Sequence, residues 1–383
     1  MNFLNQGAIA SLALAAAMPL SAQEDVPTVE LQKRNTGAGT TAAEFLLMGA
    51  GARGMALGSS YAALTRDVEA LYYNPGALSL LPGLEAGVTV MPYFADTRYI
   101  WAGIGLPIAG GEYGIGLSIA NFGFGSSPVY TEQFPENEQE FTYAVNETVI
   151  GLSFAHSFID RFSGGVTAKV ISDNLGKTSA TAFAFDIGTN YHAELMGRPI
   201  SMAFVIQNLG TSLQHTGTGL NFDAFPNSDD DAFPSQALDP EAAAFRTQAS
   251  ALPVVFRFGT AYDVLASASS RLTIMGEFNE QYNSSASFGL GSEFAWTPES
   301  GPLSAALRGS YSHQPDNNLS GQETTDFAGA TNVDDDEKLD GLALGAGIGL
   351  NMGESYRMKV DYAWRNFGVL GAKNVFTVSL GWR

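Results

Sequence analysis

The sequence predicts an all-β protein: a transmembrane antiparallel β-barrel of about fourteen strands, preceded by an N-terminal hatch or plug segment. Three observations predict it. Segments of about ten residues alternate between an apolar phase and a small or polar phase, the period of a β-strand. Charges within those segments sit in the small phase, which suits a polar lumen behind a lipid-facing wall. The long connections are all odd-numbered, so they emerge on one side, as external loops do in outer-membrane barrels.

The elements follow in chain order. Residues 8–20 are apolar and end near Pro19, and Ser21-Ala22-Gln23 follows. An apolar core, a helix breaker and a small residue before a polar turn describe a secretory signal peptide, here residues 1–22. The first seven residues depart from that pattern, having no Lys or Arg. Residues 23–41 are then a periplasmic extension. Residues 42–83 do not alternate and form the hatch. Fourteen strands enclose more space than their own side chains fill, since about eight is the filled size. Residues 62–71 are helix-compatible with Thr65 as N-cap, and Asn74-Pro75-Gly76 is a turn signal that ends them. Phe45, Leu46, Leu47 and Met48 suit either hatch packing or the lining of an apolar pocket, and packing is the simpler role.

The barrel occupies residues 84–383. Its strands are expected at 84–94, 97–107, 112–122, 148–157, 161–171, 178–192, 198–208, 252–263, 271–280, 284–296, 301–313, 339–350, 355–365 and 373–383. The inward phase carries Lys169, Asp186, Arg257, Glu277, Glu293, Arg308, Lys359 and Asp361. Pairing with one another across a polar lumen is their expected role, because lone charges facing lipid are costly. The connections 123–147, 209–251 and 314–338 hold five, six and seven acids against none, one and one base. They supply sixteen of the twenty net negative charges, so the acidity belongs to one face. That face is expected to be extracellular, with both barrel ends periplasmic. Asp229-Asp230-Asp231 and Asp334-Asp335-Asp336-Glu337 would suit calcium by chemistry, but neither run has EF-hand spacing, and solvation is the plainer reading.

Composition excludes other classes. A net charge of -20 opposes nucleic-acid binding. The absence of cysteine excludes disulfide scaffolds, thiol catalysis and Cys-ligated zinc. His156, His192, His215 and His313 are scattered and offer no multi-histidine metal site. There is no G-x-S-x-G and no H-E-x-x-H, so no enzyme, metal or cofactor is expected. Gly49-Ala50-Gly51-Ala52-Arg53-Gly54 matches the dinucleotide fingerprint formally. It lacks the βαβ setting that phosphate binding requires, and close packing against neighbouring backbone explains it better.

The stretch Gly49 to Tyr61, then Asp67, then Ala70-Leu71-Tyr72-Tyr73-Asn74-Pro75-Gly76-Ala77-Leu78, resembles the first segment of the PorV/PorQ family of FadL-like outer-membrane barrels. Gln207-Asn208-Leu209-Gly210, the stretch from Leu252-Pro253 through Arg257-Phe258-Gly259 to Tyr262, and Asp361-Tyr362-Ala363-Trp364 with the closing Trp382-Arg383 are similar too. Here Gly76-Ala77 reverses the usual order after Asn-Pro, and the last residue is Arg383 rather than an aromatic. The resemblance implies a FadL-like barrel whose hatch motif comprises Arg53, Gly54, Asp67, Asn74, Pro75 and Gly76. It also implies work in type IX secretion, with a translocon and the C-terminal domains of secreted cargo as partners. The alternative is a FadL-like passive channel holding a hydrophobic ligand in its lumen. Either way the protein would sit in outer-membrane lipid.

Overall fold

The computed structural model describes residues 39–382, apart from 59, 131, 133, 137–140, 225–240, 315–340 and 354. Fourteen strands close into one barrel. They are β1 (Leu84–Pro92), β2 (Arg98–Ile108), β3 (Tyr113–Pro128), β4 (Thr142–Ile159), β5 (Phe162–Leu175), β6 (Thr178–Leu195) and β7 (Arg198–Gly210), then β10 (Val255–Ala266), β11 (Ser270–Gln281), β12 (Ser284–Trp296), β13 (Leu303–His313), β14 (Leu342–Met352), β15 (Tyr356–Asn366) and β16 (Ala372–Trp382). In the connection after β7, β8 (Asn221–Ala224) and β9 (Glu241–Ala244) form a separate two-stranded sheet. Every barrel pairing is antiparallel between consecutive barrel strands, and β1 meets β16 with Leu84 opposite Trp382. Closure leaves no unpaired edge.

The two phases separate as alternation requires. Outward-facing Leu152, Leu290 and Ile348 are 64%, 69% and 62% exposed. A continuous apolar belt of this kind would aggregate in water and matches lipid hydrocarbon. Tyr356 and Trp382 meet edge to face at one rim, and Tyr113, His156 and Phe158 cluster at the same rim. Amphipathic rings at such a level form the interfacial girdle of a membrane barrel. No helix among the described residues is long and apolar enough to cross a membrane.

Two strands outrun their apolar pattern. Alternation fades after Phe122, yet β3 continues to Pro128 and β4 begins at Thr142, with a bulge between Phe124 and Ser127. The hydrogen-bond ladder extends beyond the apolar belt, where lipid no longer dictates side-chain type. The β8–β9 pair has the same origin. The signal peptide and the Asp229–231 and 334–337 acidic runs lie outside the described residues.

Residues 42–83 run along the inner wall. The amide of Ala42 donates to the carbonyl of Ala251 (2.9 Å), and Asn283 donates to Thr41 (3.0 Å). Ala251 lies in the long connection after β7 and Asn283 in the β11–β12 turn, so this end is at the rim of the long connections. Further along, Ala52 donates its amide to Thr377 of β16 (2.7 Å). Then Ser163 of β5 donates to the carbonyl of Gly76 (2.6 Å), and Ser157 of β4 donates to Ser79 (2.9 Å). Ser157 and Ser163 flank the short β4–β5 turn at the opposite rim, where Leu84 and Trp382 also lie. The segment therefore crosses from one rim to the other. Of the stretch 23–41, read as a periplasmic extension, only residues 39–41 are described, and Thr41 lies at the rim of the long connections.

The helix expected over 62–71 also differs. The helical turns are Glu44–Leu47, Ala52–Ala56, Ala70–Tyr73 and Pro75–Leu80. Thr65 caps nothing, because its hydroxyl donates back to the carbonyl of Tyr61 (2.7 Å). No side chain caps the turn Ala70–Tyr73; Asp67 accepts from the amide of Glu69 (3.2 Å), an Asx turn just ahead of it. Its other oxygen is held by Arg53 and Tyr61, and this pull from distant chain overrides local helix propensity.

Candidate functional site: the lumen segment and the thin wall beside it

The motif residues of the segment serve two dockings. In the first, Asn74 accepts from the amide of Gly76 (3.0 Å) and donates to the carbonyls of Ala62 and Thr189 (both 3.1 Å). The Asn74-Pro75-Gly76 turn thereby lies on β5 and β6. A Cβ at Gly165 would sit 2.5 Å from the Pro75 carbonyl oxygen, and one at Gly188 would sit 2.3 Å from Asn74 Oδ1. Glycine is required at both, at Gly165 because backbone meets backbone and at Gly188 because the Asn74 side chain lies against it.

The second docking is ionic. Arg53 reaches Glu293 of β12 through Nε (2.8 Å) and Nη2 (2.7 Å), and Asp67 through Nη1 (2.7 Å). Glu293 also accepts from Arg308 of β13 (2.7 Å), which stands opposite it across the β12–β13 ladder. Arg308 extends over β14 to Asp361 of β15. Gly347 on β14 makes that reach feasible, since a Cβ there would sit 2.2 Å from the Asp361 carboxylate. Burial opposes charge on Asp67, yet the Arg53 and Lys359 charges and hydrogen bonds from Arg53 and Tyr61 hold its carboxyl below the ordinary value.

Gly51 and Gly54 of the formal fingerprint pack against side chains rather than backbone. A Cβ on Gly51 would meet Glu69 at 1.8 Å, and one on Gly54 would meet Tyr73 at 2.3 Å. Glu69 accepts from the Gly54 amide (2.8 Å). Burial, with the charges of Asp67 and Asp361 nearby, pushes its carboxyl well above the usual range. Phe45 and Leu46 are buried in the core beside Tyr72, whose hydroxyl donates to the Leu46 carbonyl (2.8 Å).

The other inward charges form separate pairs. Lys169 meets Asp186 (2.6 Å) and donates to Asn208 (2.9 Å). Asn208, at a φ of 61°, donates to the carbonyl of Pro253 (3.0 Å) and so ties the returning long connection to the wall. Arg257 lies 3.4 Å from Glu277 and donates to Gln207 (2.7 Å). Lys359 pairs with Glu85 across the closing seam at 2.5 Å. Glu85, Glu69, Tyr61 and Gln207 were not among the expected charge partners. Glu85 could have been found from alternation, because it falls in the inward phase of β1.

On the lipid-facing side, β1–β3 and β16 carry an apolar groove of about 520 Å³ lined by Ala86, Val88, Ala102, Ile104, Leu117 and Val378, among others. Gly87 and Gly103 stand opposite each other in the ladder behind it. On the lumen side, a Cβ at Gly87 would meet Val68 of the segment (2.9 Å), and one at Gly103 would meet the Trp101 indole of β2 (2.7 Å) and Leu71 of the segment (2.8 Å). Ala86 and Ala102 outside and Gly87 and Gly103 inside leave little side chain in the wall there, between an apolar groove and the buried side chains of Val68, Leu71 and Trp101.

No protein-family model and no curated protein matches the sequence. Solved structures do match. The toluene transporter TodX of Pseudomonas putida superposes with a TM-score of 0.51 at 10% identity, covering 87% of this chain and 97% of that one. The monoaromatic hydrocarbon channel CymD gives 0.55 at 11% identity, covering 87% and 97%. At such identities the likeness is one of fold, a closed fourteen-stranded barrel. The neighbours named are a transporter and a channel, not enzymes.

Proposed function

We propose that this chain is an outer-membrane barrel through which apolar small molecules pass, plugged by residues 42–83. The observation that carries the reading is the thin wall at Gly87 and Gly103, with an apolar groove outside and Val68 and Leu71 inside. A small hydrophobic molecule would cross there without meeting the charged lumen. Fold-sharing with TodX and CymD, named for toluene and monoaromatic hydrocarbons, supports this substrate class. In this reading the ion-paired interior holds the plug in place and blocks free passage of water and solutes. The test is uptake of a radiolabelled aromatic hydrocarbon by intact cells in which this chain is the sole hydrocarbon route. Filling the groove with Ala86→Trp or Ala102→Trp is expected to reduce uptake severalfold while the barrel still assembles. Uptake unchanged by both would refute the route.

The second reading is a cargo-binding barrel of type IX secretion. It is supported by the PorV/PorQ-like motif from Gly49 to Leu78 and by three long connections on one rim, one bearing the β8–β9 sheet. Purification from gently solubilised outer membranes separates the two readings. A very large barrel translocon, or exported proteins with a shared C-terminal domain, would favour secretion. The barrel alone with apolar ligand would favour the channel.

A further inference from the structure

A cavity of about 250 Å³ opens at the short-turn rim, between segment residues 64–67 and strands β11–β15. Six of the chain's nineteen basic residues line it, against four acids. Arg53, Arg308 and Lys359 are engaged by those four acids, as described above. Arg66, Arg271 and Arg357 make no salt bridge among the described residues, although Asp263 attracts Arg66 and Glu85 attracts Arg357 at longer range. Arg66 lies 3.2 Å from the ring nitrogen Nδ1 of His192. Burial and the like charges of Arg271 and Arg53 lower the proton affinity of Arg66 against the pull of Asp263. The Nε of Arg357 is buried and has no hydrogen-bond partner among the described residues. A further acid near Arg66, Asp263, is held by the hydroxyl of Thr273 (2.6 Å) and does not line the cavity.

Guanidiniums that line one cavity without a direct ion pair are unfavourable unless an anion joins them. In a chain of net charge -20, a cavity lined with an excess of two positive charges is a local inversion. We infer that this cavity binds a doubly charged phosphate-type oxyanion, held by Arg66, Arg271 and Arg357. Planar guanidinium forks match the oxygens of such a group in pairs, and a dianion cancels the excess charge of the lining. The site lies at the rim, apart from the wall groove, and does not depend on the hydrocarbon reading. Two sources share this chemistry, a free phosphate and the phosphomonoester headgroup of an amphiphile.

Calorimetric titration of the full-length protein in detergent, at fixed ionic strength, tests the site with inorganic phosphate and then dodecyl phosphate. Saturable one-to-one binding is expected. Arg271→Gln and Arg357→Gln should each weaken it at least about tenfold, the worth of one charge-assisted hydrogen bond. Neither arginine's side chain hydrogen-bonds the wall or the segment among the described residues, so both variants should keep the heat-modifiable mobility of a closed barrel. Lys373→Gln, at the opposite rim, should bind as the parent does. Tighter binding of dodecyl phosphate identifies a headgroup site, and equal binding identifies a free-anion site. No saturable phosphate binding, or binding undiminished in the Arg271→Gln/Arg357→Gln double variant, overturns the inference.

Discussion

Replacing Glu293 by glutamine tests whether the lumen network holds the segment to the wall. The Glu293 side chain is 2% exposed and accepts three hydrogen bonds, two from Arg53 and one from Arg308. Glutamine keeps one acceptor oxygen and turns an N–H toward a guanidinium. Breaking a buried ion pair from one side costs about 3–5 kcal/mol. The lower end applies, because Asp67 still holds Arg53 and Asp361 still holds Arg308. The expected loss is about 3 kcal/mol, or roughly a hundredfold in the unfolding equilibrium. Urea unfolding in lipid or detergent, followed by tryptophan fluorescence, measures it. Arg308→Gln should lose a similar amount, and the double variant much less than the sum, since both act through one contact. A loss under about 1 kcal/mol, or strict additivity, would show that the network is decoration rather than a clamp.

Other perturbations address other links. Gly188→Ala would press a methyl onto Asn74 and should cost about 1–3 kcal/mol by overpacking, read as a lower urea midpoint with freer proteolysis near residue 75. Glu69 has its carboxyl raised in the folded state, so its contribution to stability is full below the ordinary carboxylate range and fades as pH rises through its raised value. Glu69→Gln should therefore flatten the loss of stability between acid and neutral pH, and an unchanged pH profile would contradict its burial. Leu152→Arg on the outward face should cost about 2–4 kcal/mol if that face meets hydrocarbon, measured by refolding into bilayers, and near zero if it does not. A cysteine at Glu136 should react with an impermeant reagent on intact cells, whereas cysteines at Asp160 and Glu299 should stay silent; the reverse pattern would invert the orientation.

Much of the barrel is legible in the sequence because one force shapes it. Lipid admits no charge on the outward phase, so Lys169, Asp186 and Glu293 mark the inward phase of their strands. Connection parity then orders the rims. Where that force ends, legibility ends. Asn146 and Glu147 pair within the β3–β4 ladder, yet they lie beyond the apolar pattern and read as loop. Local pattern also fails when the partner is far along the chain. Arg53 and Glu293 stand 240 residues apart, so their contact is invisible to spacing. Thr65 looks like a cap by local rules, but its hydroxyl turns back to Tyr61, and the chain there is shaped by Asp67, which Arg53 and Tyr61 hold. The thin wall at Gly87 and Gly103 was hidden for the opposite reason. Glycine is so frequent in the inward phase that two more attract no notice, and only their position against Val68 and Leu71 gives them meaning.

The path of residues 42–83 from rim to rim constrains the order of assembly. A chain that passes through a closed ring must be fed end-on, whereas a ring can be drawn shut around a chain already in place. The bonding favours the second history. The segment precedes every strand in the sequence, yet the amide of Ala52 finds its acceptor only on Thr377 of the last one. Thr377 in turn shares a hydrogen bond with Thr89 of the first strand (2.8 Å). Arrival of β16 thus satisfies the segment and seals the seam at one point, so the final hydrogen bonds of closure also report that the interior has been filled.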